Sequence, residues 1–267
     1  MFKNNIDNKS KILVIMSYLI MIATNVAANL LPINNVTTAE VSDAYPNLFA
    51  PAGITFIIWG VIYTLLLFFV IYYSGFFNQR KSLINPMVMK RIAILFTITS
   101  LANAAWIFLW HYQILWLSIF VMLIILVSLI FINKIILEER LIFKERFLIR
   151  LPFSVYFGWI TVATIANITA YLSKIGWSAF GLSEVFWTIT ILIVGMLIAA
   201  IVIIQNKDYG YGLTLIWAYA GIFIKHFSKE GFAAAYPKVL VTVSIAIIVF
   251  VLCLAYLLFN RDRRKRI

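Results

Sequence analysis

Eight stretches of this chain are long enough and apolar enough to cross a bilayer, and that feature fixes the solvent in which it folds. The hydrocarbon core offers no water to backbone N–H and C=O groups, so a spanning segment must satisfy them internally. A spanning helix takes roughly 17–25 predominantly apolar residues. The stretches at 12–31, 51–73, 92–110, 114–133, 151–172, 184–204, 211–227 and 239–259 meet that requirement. The expected fold class is an all-α integral membrane protein, a polytopic helix bundle of about eight transmembrane helices. The seventh stretch is short and ends in Lys225 and His226, so it reads as a tilted or partly buried helix.

A formal charge of +12 would point to nucleic acid in a soluble chain, but here the basic residues sit in loops and tails. There they set orientation through the excess of Lys and Arg on the cytoplasmic side. Lys3, Lys9 and Lys11 precede the first span, and Arg80, Lys81, Lys90 and Arg91 separate the second from the third. Lys134, Arg140, Lys144, Arg146 and Arg150 follow the fourth span, Lys207 the sixth, and Arg261, Arg263, Arg264, Lys265 and Arg266 the eighth. Only Lys174, Lys225, Lys229 and Lys238 fall on the other side. Both termini are therefore expected in the cytoplasm, with the lipid bilayer as partner and no nucleic acid. Val26-Ala27-Ala28 after the first apolar run has the small residues of a secretory cleavage site. The run is long for a signal's apolar region, so the span is read as retained.

Charged side chains inside a membrane usually mark ion or proton paths, and this chain has almost none. Glu184 follows Ser183 at the start of the sixth span, where a carboxylate favours a helix N-terminus. Tryptophan and carboxamide stand out instead. Trp110, Trp116, Trp177 and Trp187 suit the interfacial belt. Trp59 and Trp159 fall near mid-membrane, roughly 12–13 Å from the ends of their spans at 1.5 Å per residue. Trp59 and Tyr63 are spaced i, i+4 on span two, and Asn103, Trp106 and Trp110 share one face of span three. Trp159, Ala163, Asn167 and Ala170 share one face of span five. Interhelical hydrogen bonding would account for the two Asn residues. An aromatic pocket with a few polar groups, suited to a flat lipophilic ligand, would account for both the Asn and the Trp.

At these residues the chain resembles the TspO/translocator-protein family, the tryptophan-rich sensory proteins. Pro51 and Trp59-Gly60-Val61-Ile62-Tyr63 are similar to the family's second helix. Leu101-Ala102-Asn103-Ala104-Ala105-Trp106, followed by Gln113, resembles its L-N-x-A-W third helix. Tyr156-Phe157-Gly158-Trp159-Ile160-Thr161-Val162-Ala163-Thr164-Ile165-Ala166-Asn167 resembles its P-Y-L-A-W-x-x-F-A-T-x-L-N fifth helix, with Val155 where the Pro usually stands. The resemblance implies a five-helix TspO-like bundle over 1–172, in a long divergent member with three additional helices and a basic tail over 173–267. It implies a pocket for tetrapyrroles, sterols and synthetic aromatic ligands lined by Trp59, Asn103, Trp106, Trp159, Ala163 and Asn167, to which the spacing adds Tyr63, with porphyrin or haem as ligand and no required cofactor. It also implies a homodimer in a bacterial plasma membrane. The loop Trp residues on which the family's porphyrin photochemistry leans are replaced by Tyr45, Phe49 and Gly53, so that activity is not carried over. No Leu or Val precedes Tyr171 closely enough to complete the family's sterol motif.

His111 and His226 are the only histidines, and Cys253 is the only cysteine. An axial haem ligand is conceivable for His111; a lone interfacial His without a role is the plainer reading. No metal-ligand cluster, phosphate loop or paired intramembrane carboxylate is present, so no enzyme activity is expected. The function expected is sensory, regulatory or ligand-handling, through an intramembrane aromatic pocket. The alternative is a small-solute transporter completed by the last three helices, although neither a repeat nor broken helices in spans three and four support it.

Overall fold

The computed structural model describes residues 7–31, 33–76 and 84–263; side chains are described through Asn260. Pro32, Lys3, Arg80, Lys81, Arg264, Lys265 and Arg266 lie outside the described residues, as do the side chains of Arg261 and Arg263. Among the described residues the regular structure is helical throughout, with no strand. Two compact units form: residues up to Val41 with Ile58–Thr164, and Ser42–Ile57 with the chain from Ile165 onward.

The first unit holds α1 (Asn8–Leu30), most of the short α2 (Thr38–Asp43), α3 (Ile58–Ser74), α4 (Pro86–His111), α5 (Leu115–Glu138) and α6 (Phe143–Glu145). A π turn over Arg146–Arg150 carries α6 into α7 (Leu151–Lys174). α4 starts six residues before the apolar run that predicts it. The Asn85 side chain accepts from the Met87 N–H, and Pro86 takes the first helical position, where its missing N–H costs nothing. Phe69, Phe96 and Phe153 bring α3, α4 and α7 together, with ring centroids 4.8–6.1 Å apart.

α5 shows how a chain folds in lipid. Its buried residues Leu115, Ser118, Met122, Ile125, Leu129, Ile132 and Ile136 repeat every three or four positions. Trp116, Phe120, Leu123, Val127 and Phe131 point out and are equally apolar. Side-chain fit rather than polarity selects the inner face. Outward apolar faces on this scale require an apolar surround.

The sequence between the fourth and fifth spans, 133–150, mixes Glu138, Glu139, Arg140, Lys144, Glu145 and Arg146 and reads as a solvated helical extension. In the structure Glu145 is instead wholly buried. One carboxylate oxygen accepts from the Tyr72 hydroxyl at 3.0 Å, and the other from the Ile142 N–H at 3.0 Å. A buried carboxyl group is tolerable only with such partners.

The second unit holds Ser42–Ile57, the end of α7, α8 (Glu184–Asn206), α9 (Tyr209–Phe227) and α10 (Pro237–Arg263). Lys207 in the left-handed region ends α8, and the Asp208 side chain caps α9 by accepting from the Tyr211 N–H at 3.1 Å. Among the described residues seven helices are long and apolar enough to cross a membrane; α9 is not among them. It is the seventh stretch, and it packs against α8 and α10. Gly210, Tyr211, Gly212, Thr214, Leu215, Ala218, Tyr219 and Ile222 are buried along it. Its buried face carries these Gly, Tyr and Thr residues, while Leu213, Trp217, Ile224 and Phe227 point outward. The chain is therefore an integral membrane protein in which, among the described residues, seven helices are long and apolar enough to span, and α9, which is not, packs against α8 and α10.

Candidate functional site

Trp59 stands at the centre of an aromatic cluster in the first unit. Its ring lies 5.5 Å from Tyr63, one turn along α3, 6.0 Å from Trp106 on α4, and 6.1 Å from both Tyr156 and Trp159 on α7. Trp106 in turn stacks on Trp110 at 5.4 Å. Trp106 and Trp159 are buried, and Trp59 is 9% exposed. Each such pair adds about 0.5–1.5 kcal/mol beyond the area it buries. Tyr63 covers a face of the Trp59 ring, Trp106 lies tilted against it, and Tyr156 and Trp159 meet it edge-on.

The carboxamide of Asn103 closes the cluster. Its oxygen accepts from Asn25 Nδ2 at 2.8 Å and from the Tyr63 hydroxyl at 3.4 Å, and its nitrogen donates to the Tyr156 hydroxyl at 3.3 Å. Tyr63 also donates to Asn25 Oδ1. Four helices, α1, α3, α4 and α7, thus share one polar knot. Asn25 was not among the expected site residues. An Asn at mid-helix in an apolar run was the one available signal, since it must find a partner.

Five of the seven expected site residues therefore come together in the first unit: Trp59, Tyr63, Asn103, Trp106 and Trp159. Ala163 is half-buried one turn beyond Trp159 on α7. Asn167 is buried a further turn along, in the second unit.

The two histidines have a role that their positions in sequence do not announce. Both hold the connection between α1 and α3. His111 is fully buried at the end of α4, with Nδ1 3.2 Å from the Ile33 carbonyl oxygen and Nε2 3.1 Å from Thr38 Oγ1. The His111 carbonyl accepts from Asn34 Nδ2 at 3.0 Å. With both ring nitrogens engaged, this residue has none left for a haem iron. Trp110 assists by donating from its indole nitrogen to the Thr38 carbonyl at 3.1 Å. It is thus a buried anchor rather than a member of the interfacial belt, whereas Trp116 is 61% exposed, as a belt residue should be.

In the second unit the later part of the same connection is clamped at Leu48. The Leu48 N–H donates to Glu184 Oε1 at 2.8 Å, and its carbonyl accepts from His226 Nε2 at 2.8 Å. Lys225 and Asp43 form an ion pair at 2.7 Å. The Ala52 N–H donates to the Gly221 carbonyl at 3.0 Å, and Trp217 Nε1 donates to the Thr55 carbonyl at 2.9 Å. Glu184 is therefore more than a favourable charge at a helix start. It neutralises an orphan backbone donor 136 residues away.

Among the described residues no cluster of three His, Cys, Asp or Glu side chains could hold a metal. In comparison with known proteins, a family model described as TSPO-like protein matches residues 11–256. That match runs on through α8 and α9 and into α10, beyond the five spans that carry the motif resemblance. No curated protein and no solved structure matches.

Proposed function

The chain belongs to the TSPO-like protein family, and from that premise we propose that it binds a flat, lipophilic, tetrapyrrole-like ligand among the aromatic rings of its first unit. The observation that carries this reading is the convergence of Tyr63, Trp106, Tyr156 and Trp159 on Trp59. Tyr63 stacks on Trp59 at 5.5 Å, and Trp159 meets it edge-on at 6.1 Å, so a planar guest in place of Tyr63 or Trp59 would meet both a ring face and a ring edge. Entry parts Trp59 from its neighbours, and the guest restores the stacking that is lost. Asn103 fixes the geometry by tying Tyr63 and Tyr156 in place, and its amide meets a polar edge only by exchanging one of those bonds.

The role that follows is sensory or ligand-handling rather than enzymatic, in a bacterial plasma membrane with both termini in the cytoplasm. The test is titration with protoporphyrin IX and haem in nanodiscs, read by tryptophan quenching. Saturable micromolar binding that weakens in Trp59→Phe and Trp159→Phe supports the site. In a folded Ala163→Leu variant the added volume on α7 should lower affinity. An absence of saturable binding would leave the aromatic cluster as packing alone.

A further inference from the structure

The second unit contains a cavity of about 280 Å³ that the reading above does not use. Leu48 and Phe49 form one wall, Leu172 and Ile191 line it from α7 and α8, and Trp177 and Trp187 contribute aromatic surface. The two indoles are 5.4 Å apart at 53°, too close to hold a guest between them, so they form one continuous aromatic wall. Trp187 is held in orientation by donating from Nε1 to the Ala179 carbonyl at 2.9 Å. At about 30 Å³ per water-sized group, the space admits a solute of roughly ten non-hydrogen atoms.

Glu184 is the only charged side chain in this lining. One carboxylate oxygen is tied to the Leu48 N–H, and the other carries no hydrogen bond among the described residues. Neighbouring cations are occupied elsewhere: Lys225 pairs with Asp43 at 2.7 Å, and Lys174 lies 5.9 Å from the Tyr45 ring centroid. The end of α7 and the start of α8 both border the cavity. Their partial charges, about −0.5 and +0.5, offset one another. What remains is one negative charge, on an exposed carboxylate, beside an indole wall that lines a small, largely apolar space.

We propose that this cavity binds a small organic monocation, an ammonium or quaternary ammonium group on a short apolar body. The Glu184 carboxylate supplies the counter-charge, Trp177 and Trp187 the cation–π surface, and Leu48, Phe49, Leu172 and Ile191 the contact for the apolar body. Two sources share that chemistry: a free amine, or the ammonium head of a membrane lipid. The site is separate from the Trp59 cluster and does not depend on it.

Choline is the probe, and 3,3-dimethylbutanol, its uncharged isostere, is the control. Binding is measured by calorimetry on the full chain in phosphatidylglycerol nanodiscs, which contain no ammonium group. The expected result is saturable choline binding, with the isostere at least tenfold weaker. Glu184→Gln keeps an acceptor for the Leu48 N–H and removes the charge; it should lower choline affinity tenfold or more with an unchanged melting temperature. Trp177→Leu should weaken choline several-fold, which keeps the proposal open to refutation if Glu184→Gln fails to fold. Weaker choline binding in discs containing phosphatidylcholine would identify a lipid head group as occupant, and equal binding a free cation. Either an absence of saturable choline binding, or equal affinity for the isostere, overturns the proposal. Protoporphyrin binding should be unchanged by Glu184→Gln, so failure here is distinguishable from failure of the Trp59 site.

Discussion

Replacing Gly221 by alanine should loosen the segment Ser42–Ile57 from α9, and the structure gives the size of the effect. A Cβ at Gly221 would lie 2.0 Å from Thr55 Oγ1, 2.7 Å from Thr55 Cγ2 and 2.9 Å from Thr55 Cβ. Thr55 cannot swing aside easily. It is buried, its N–H donates to the Ala52 carbonyl at 2.9 Å, and its own carbonyl accepts from Trp217. The Gly221 carbonyl in turn accepts from the Ala52 N–H. Overpacking of this kind costs about 1–3 kcal/mol, and losing the Ala52 bond adds about 1 kcal/mol. Gly221→Ala should therefore destabilise the protein by about 3 kcal/mol. Thr55→Ala removes the two closest atoms. Alone it loses about 1 kcal/mol of methyl burial but also removes a buried hydroxyl that has no partner among the described residues, worth a similar amount, so it should be nearly neutral. Combined with Gly221→Ala it should restore at least half the lost stability. The assay is reversible unfolding by SDS in mixed micelles, paired with chymotrypsin cleavage after Tyr45 or Phe49. A Gly221→Ala protein within about 0.5 kcal/mol of wild type, or no rescue by Thr55→Ala, would refute the close approach.

Three further outcomes follow from the same contacts. Asn103→Leu strands Asn25, Tyr63 and Tyr156 and should cost about 1–2 kcal/mol, with Tyr63→Phe costing less; thermal melts in detergent decide it. Trp110→Ala should destabilise by about 3–5 kcal/mol while Trp116→Ala changes detergent stability by less than about 0.5 kcal/mol, because only Trp110 is buried and bonded to Thr38. His111→Phe should expose residues 33–38 to protease and leave 42–57 protected, as mapped by mass spectrometry of limited digests. Simultaneous release of both segments would show that the His111 anchor and the Leu48 clamp are not separate.

Length and apolarity carry most of the fold, and for that reason the helices fall where continuous hydrophobic runs place them. The runs do not reveal where polar ends continue as helix. α4 reaches back to Pro86 through Lys90 and Arg91 because a cap, not hydropathy, starts it. The face of each helix is harder still. α5 buries Met122 and exposes Leu123, and only the three-and-four spacing separates them. For the site, helical spacing groups Trp59 with Tyr63 and Asn103 with Trp106, since those pairs lie within a turn. The groups meet through the Trp59–Trp106 contact and the Tyr63–Asn103 bond, and Asn25, 78 residues from Asn103, ties both; no local pattern encodes those partnerships. His226 and Glu184 were opaque for the same reason. Their partner is the backbone of Leu48, and a backbone acceptor or donor has no residue type to recognise.

The clamp at Leu48 also sets an order of events in synthesis. Residues 42–57 leave the ribosome early, but Glu184 follows 136 residues later, Trp217 is 162 residues from Thr55, and Lys225 comes 182 residues after Asp43. At about 5–20 residues per second, the segment waits roughly 7–36 seconds for its partners. During that interval α1 and α3 are already inserted, and the stretch joining them has unpaired backbone groups at Leu48 and Ala52. The last third of the chain therefore completes a structure begun by the first, and a nascent chain stopped before α8 would present this stretch to proteases and chaperones as unfinished.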